Sequence, residues 1–184
     1  MAVLRRTCAV FVALAMLSGC TGPAAGAPRG VAAPPSPTRE PAESAGGACL
    51  LLSYDEVAGA VGVDFAISAA SSSGDTYTCV LRQVADPLPD LALSVSPTLA
   101  DAAVFTASVA PKGSAKVTDL GKAGYSRPLP ASATGAGPGA EVAWLSGDQR
   151  LITLRYRTPP GSPDAAALVP KLVALAKEID RTTS

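Results

Sequence analysis

Residues 21–47 set the first limit on what this chain can fold into. They read TGPAAGAPRGVAAPPSPTREPAESAGG, with Pro, Ala, Gly and Ser dominant and Val31 the one sizeable aliphatic. Such a stretch cannot bury enough apolar surface to offset the entropy of ordering it. Its Pro-rich portions favour extended polyproline II conformations, so it reads as a semi-rigid spacer reaching up to roughly 80 Å at about 3.1 Å per residue. A recognition motif at Pro34-Pro35-Ser36-Pro37 is the competing reading. Folding is left to residues 48–184, a length that supports one core.

Before the spacer, residues 1–19 carry a targeting pattern. Arg5 and Arg6 form a basic start, and residues 8–17 (CAVFVALAML) form an apolar run. That run falls short of the roughly 20 apolar residues needed to span a bilayer, and it suits the apolar region of a signal peptide. Leu17-Ser18-Gly19-Cys20 follows at once and resembles the lipobox of bacterial lipoproteins: Leu, two small residues, then Cys. The resemblance implies that Cys20 is acylated with a diacylglycerol and becomes the N-terminus after cleavage. An ordinary secretory signal followed by an incidental Cys is the alternative. Several acyl chains on one residue anchor firmly, since each buried methylene contributes roughly 0.8 kcal/mol. The expected location is the cell membrane, lipid-anchored on the extracytoplasmic side.

Charge adds little to that anchoring. The chain has 184 residues, with 15 basic and 15 acidic side chains and no histidine. Loss of Arg5 and Arg6 with the signal takes the basic count from 15 to 13, a mildly acidic balance with no pull towards anionic headgroups. It also argues against nucleic acid as a partner, which requires clustered Lys and Arg. The absence of histidine removes Ser–His and Cys–His catalysis and the commonest zinc ligand. Aromatic residues make up only 4% of the chain, so aliphatics and Ala must build the core.

From residue 48 onward, aliphatic runs alternate with turn signals. Ser53 and Glu56 fit a capping box opening a short helix, with Val57, Ala58 and Val61 inward. Strands are expected at 63–69, 76–84 and 91–96, the first two joined by a loop at 71–75. Ser96-Pro97 reads as a helix start, with Leu99, Ala102, Ala103, Thr106 and Val109 at helical spacing. Strands follow at 116–120 and 124–127, then a loop at 128–139. A hairpin of 141–145 and 149–157 turns at Ser146-Gly147-Asp148; its second strand alternates Ile152, Leu154, Tyr156 with Thr153, Arg155, Arg157. A last helix carries Leu168, Leu172, Leu175 and Ile179, with Pro170 as a kink or a start. The order α-β-β-β-α-β-β-β-β-α predicts an α+β class, an antiparallel sheet with helices packed on one face.

Of four cysteines, Cys8 leaves with the signal and Cys20 takes the lipid, which leaves Cys49 and Cys79. An even pair in an oxidising compartment points to a structural disulfide; two free thiols or half a metal site are the alternatives. Cys49-Leu50-Leu51-Leu52-Ser53 with Glu56-Val57 and Gly62, then Tyr77-Thr78-Cys79, resembles actinobacterial lipoproteins of the DUF3558 type. Leu120-Gly121-Lys122-Ala123-Gly124-Tyr125 is similar to the Gly-x-x-Ala-Tyr segment of that family. The likeness spans residues 48–182, with two departures: Val80 stands where an aromatic is expected, and Gly124 separates Ala123 from Tyr125. The family has no settled activity, so the resemblance brings no catalytic residues.

Few residues stand out as a site. Arg155 and Arg157, on one strand face, and Arg150 can grip an anionic ligand, or they can simply line a solvated face. Trp144, the one tryptophan, either stacks on a ligand or fills the core. Residues 134–139 (TGAGPG) lack the Lys-Ser/Thr ending of a phosphate loop. Asp55/Glu56 and Asp86/Asp90 show no calcium-loop spacing. The expectation is a non-enzymatic domain with no cofactor and no metal. Its contacts are membrane lipid through Cys20 and an envelope protein that it docks; the alternative is a small apolar or lipid ligand carried between sheet and helices.

Overall fold

A computed structural model describes residues 39–163 and 165–183, so Cys20, the targeting pattern and residues 21–38 of the spacer lie outside the described residues. The described residues, from Arg39 onward, form one compact unit. The spacer therefore ends earlier than expected. Ala42 is fully buried within a short 3-10 turn, Ala42–Ala45, and a second turn, Gly47–Leu51, carries Cys49 into the core. Ala42 is small enough to pack where the composition of 39–47 suggested only linker.

Helix α1, Tyr54–Val61, follows with Asp55 and Glu56 in its first turn, where the helix dipole favours negative charge. Ser53 occupies the cap position, but its hydroxyl caps nothing, so the expected capping box does not form. Val57 and Val61 are buried as expected, while Ala58 is only half-buried.

Seven strands follow: β1 Ile67–Ser73, β2 Thr76–Arg82, β3 Asp90–Pro97, β4 Ala115–Val117, β5 Ala123–Leu129, β6 Gly139–Leu145 and β7 Arg150–Arg157. They form one antiparallel sheet in the order β1-β2-β3-β7-β6-β5-β4. Two meanders thus meet where β3 pairs with β7. The serines at 71–73 belong to β1, and only Gly74 and Asp75 turn the chain; Gly74, at φ 56°, supplies the left-handed backbone that a two-residue turn needs. Exposure on an edge strand lets serines extend where sequence reads a loop.

Helix α2 is Ala102–Val104, continued by a π-turn, Phe105–Val109. Its cap is Asp101, whose Oδ1 accepts from the Val104 amide at 2.8 Å, in place of the expected Ser96-Pro97 start, which lies in β3. Leu99 is consequently 96% exposed, and Phe105 is the residue this segment buries. Helix α3, Leu168–Thr183, buries Leu172, Leu175, Ala176 and Ile179. Pro170 falls in its first turn, where a missing amide hydrogen costs nothing, and no kink is required.

The sheet is α+β as expected, with one change: its two faces are covered by different elements. Cys79, Leu81, Leu91, Leu93, Val142, Trp144, Ile152 and Leu154 point towards α1 and α3 and form the main core. The Cys49–Cys79 disulfide joins the second 3-10 turn to β2 under this layer. On the other face, Phe105 packs with Tyr125, Ala143 and Leu145 as a separate small core, its ring centroid 5.9 Å from that of Tyr125. That cap covers one end of β5, β6 and β7 only.

Candidate docking face

The register of the strands brings the charged residues of the uncapped face into two rows. Arg82 of β2 lies opposite Asp90 of β3, which lies opposite Arg157 of β7. In the adjacent row Arg155 of β7 lies opposite Glu141 of β6, and Glu141 opposite Arg127 of β5. Four guanidinium groups and two carboxylates therefore share one surface. A third row, towards α2, holds Ser71, Thr78, Ser94 and Thr153, with the Thr78 and Ser94 hydroxyls 3.1 Å apart.

Glu141 is the centre. It is only 1% exposed, and four donors reach its carboxylate. Tyr125 Oη donates to Oε1 at 3.1 Å and Arg127 Nε donates to the same oxygen at 2.7 Å. Arg155 donates to Oε2 through Nε at 3.0 Å and Nη2 at 2.6 Å. Burial pushes the Glu141 carboxyl up, but the hydrogen bonds and charges of Arg127 and Arg155 outweigh it, and the group stays below its ordinary pKa. Burial, then the neighbouring carboxylate, pushes Tyr125 up to about 12, so it remains a donor. Burial also raises Asp90, against the opposing pull of Arg82, Arg157 and Arg155.

The guanidinium groups pinned by this carboxylate still face water. Side chains of Arg127 and Arg155 are 35% and 49% exposed. Arg157 Nη1 donates to the Pro130 carbonyl at 2.6 Å, which fixes it beside the loop at 130–138. A planar guanidinium already held in place gives up less entropy on meeting a carboxylate or phosphate. With its lone pairs engaged, Glu141 acts as an anchor for arginines.

Arg155 and Arg157 lie on this one face of β7. Trp144 does not join them: it sits on the opposite face, fully buried, its indole Nε1 donating to Asp180 Oδ1 at 2.9 Å. Its role as a ligand-stacking candidate therefore falls, because β6 alternates and Trp144 shares parity with Val142, not with Glu141. Arg150 lies at the start of β7, paired with Asp148 at 2.8 Å and away from both charged rows. Glu141, Arg127 and Tyr125 were missed. A signal for Glu141 existed: the turn at 146–148 pairs Leu145 with Leu151, and counting outward sets Glu141 opposite Arg155. The Arg127 pairing spans the loop at 130–138, whose length gives no register.

Grooves border the sheet. One of about 470 Å³ runs along β1, lined by Ile67, Val80 and Val84 among others. Another, about 270 Å³, lies beside Leu50 and Tyr77. Between the sheet and α1 and α3 the space is filled by Phe65, Leu81, Leu93, Trp144, Leu154 and Leu172, each essentially inaccessible. Among the described residues, no helix is long and apolar enough to cross a membrane. No protein-family model matches this chain, and none of the curated proteins or solved structures compared with it matches either.

Proposed function

We propose that this chain is a lipid-anchored docking module of a bacterial cell envelope, held at Cys20 and presenting its uncapped sheet face to an acidic patch on an envelope protein. The reading joins the lipobox-like Leu17-Ser18-Gly19-Cys20 and the spacer to a domain beginning near residue 39 and stapled by Cys49–Cys79, as suits an oxidising compartment. The observation that carries the docking half is the buried Glu141 holding Arg127 and Arg155 with their outer faces in water. The alternative, a carrier of an apolar or lipid ligand between sheet and helices, has weaker support because that layer is packed. The DUF3558-type likeness fits a lipoprotein and adds no activity.

Two measurements test it. Cells fed a clickable palmitate analogue should label the chain, and Cys20→Ala should abolish label and membrane retention together; label surviving that change would remove the anchoring. A photo-crosslinker at Thr153 should trap a defined envelope protein in intact cells. Arg155→Glu should weaken that crosslink about tenfold, and indifference to it would overturn the docking face.

A further inference from the structure

Each arginine of the Glu141 cluster uses only part of its donor set on the carboxylate beneath it. Arg127 donates through Nε alone and Arg155 through Nε and Nη2, whereas a guanidinium carries five N–H donors. The end-on edge of each, formed by Nη1 and Nη2, keeps an N–H on both nitrogens without a partner among the described residues. Arg127 rests on Oε1 and Arg155 on Oε2, so the gap between the two groups is set by the span of one carboxylate. Two positive charges and one negative leave the cluster with a single net positive charge. The other arginines of the face are less suited. Arg157 Nη1 already donates to the Pro130 carbonyl, and Arg82 stands 4.0 Å from Asp90, beyond hydrogen-bond reach and so unpinned.

We infer that this cluster receives a single carboxylate, an aspartate or glutamate side chain of the docked protein, held across the end-on edges of Arg127 and Arg155. The inference rests on the docking reading and names its central contact. One carboxylate neutralises the cluster, whereas a phosphate monoester at about two negative charges overcharges it. A planar carboxylate also matches the planar fork of each guanidinium. Glu141 is then a positioning residue whose effect runs against its charge. By Coulomb's law alone it repels the incoming carboxylate. Its hydrogen bonds, however, hold two long side chains that would otherwise lose rotamer freedom on binding. Water around the partly exposed arginines screens the repulsion, while the ordering cost is unaffected by screening, so loss of the Glu141 charge lowers affinity. Tyr125 donates to Oε1 from beneath and packs on Phe105, which keeps Glu141 itself in place.

The test titrates the full-length chain, in detergent micelles, with an end-capped pentapeptide of four glycines around one central glutamate. Binding is followed through the arginine Nε–Hε resonances. Saturable shifts of Arg127 and Arg155, half complete at about 10 mM, are expected with this peptide and not with its glutamine counterpart. Inorganic phosphate should bind more weakly. Arg155→Lys and, as a second variant, Arg127→Lys keep the charge and lose the fork, so each should bind about fivefold more weakly. Glu141→Gln should broaden both resonances and bind about threefold more weakly although a negative charge has gone. Four results overturn the inference: equal shifts by the two peptides up to about 100 mM, tighter binding of phosphate than of the glutamate peptide, unchanged affinity in both lysine variants, or unchanged or tighter binding by folded Glu141→Gln. The docking reading fails separately. A Thr153 crosslink indifferent to Arg155→Glu removes the docking, while the peptide result still upholds the carboxylate site. A crosslink that depends on Arg155 and is strengthened by Glu141→Gln removes the positioning role and leaves the docking face standing.

Discussion

Trp144 and Glu141 lie three residues apart on β6, both essentially inaccessible to water, on opposite faces of the sheet. Trp144 is buried by apolar neighbours, with one polar atom satisfied by Asp180. Glu141 is buried by the side chains that bind it, since Arg127 and Arg155 lie over it and remain partly in water themselves. The first face draws its stability from area removed from water; the second exchanges hydration for charge-assisted hydrogen bonds and gains little net. Such an arrangement orders a surface more than it stabilises a fold. That contrast is why the face bearing Glu141 is the one assigned to docking.

The contrast predicts unequal costs of truncation. Trp144→Ala should cost about 3–5 kcal/mol, by loss of packing and the strand of Asp180 contacts it anchors. Asp180 Oδ2 also accepts from the Gly121 amide at 2.9 Å, so the change should loosen residues 118–122. Position 121 itself requires glycine, because at φ 53° a Cβ would meet the Leu145 carbonyl oxygen at 2.2 Å. Urea denaturation checks this; a cost under 1 kcal/mol would show the helix-covered face to be less tightly packed than its burial implies. Replacing Cys49 and Cys79 together by Ala should cost roughly 3–4 kcal/mol from the loop closed across a sequence separation of 30. An unchanged denaturation midpoint would mean that the loop is equally restricted without the bond.

How much of this was legible depended on range. The helix-covered face was readable because alternation in β7 and the stripe of α3 are local patterns, and the element order follows from them. The β6–β7 register was readable from its short turn, and with it the place of Arg155. What escaped was set by contacts distant in sequence. Phe105 is buried because a π-turn aims it at Tyr125, and no spacing rule anticipates that shift. Leu99 looked like a helical core residue because Asp101, not Ser96, provides the cap. The parity of Trp144 is available in the sequence, and of the two readings given for it the core one holds.

Charge provides the next test. Glu141→Gln should cost about 2 kcal/mol, less than the 3–5 kcal/mol for breaking a fully buried pair, since both arginines stay partly solvated. Its effect has a pH signature. Because the folded pKa is lowered, the stabilisation is fully present above the ordinary value of 4.5 and disappears as pH falls through the folded value. Wild type should therefore lose stability below pH 4.5 more steeply than Glu141→Gln. Parallel acid-unfolding curves would show that the carboxylate is not held by its arginines.

The smallest effect lies at the other end of the scale. Tyr125 belongs to both regimes, its ring against Phe105 and its hydroxyl on Glu141. Its folded pKa is raised from 10.0 to about 12, so the neutral phenol is the form the fold prefers. Stability from this group is complete below pH 10 and is lost as pH rises towards 12. Tyrosine absorbance near 295 nm should show a phase at about pH 12 that loses the Tyr125 contribution in Tyr125→Phe, while buried Tyr156, also raised, keeps its own late titration. In Glu141→Gln the Tyr125 contribution should move down, since the carboxylate both repels the phenolate and accepts the phenol's hydrogen bond. A phase that does not move would assign the shift to burial under Phe105 alone, and would place Tyr125 with the packed part of the molecule instead of with the arginine face.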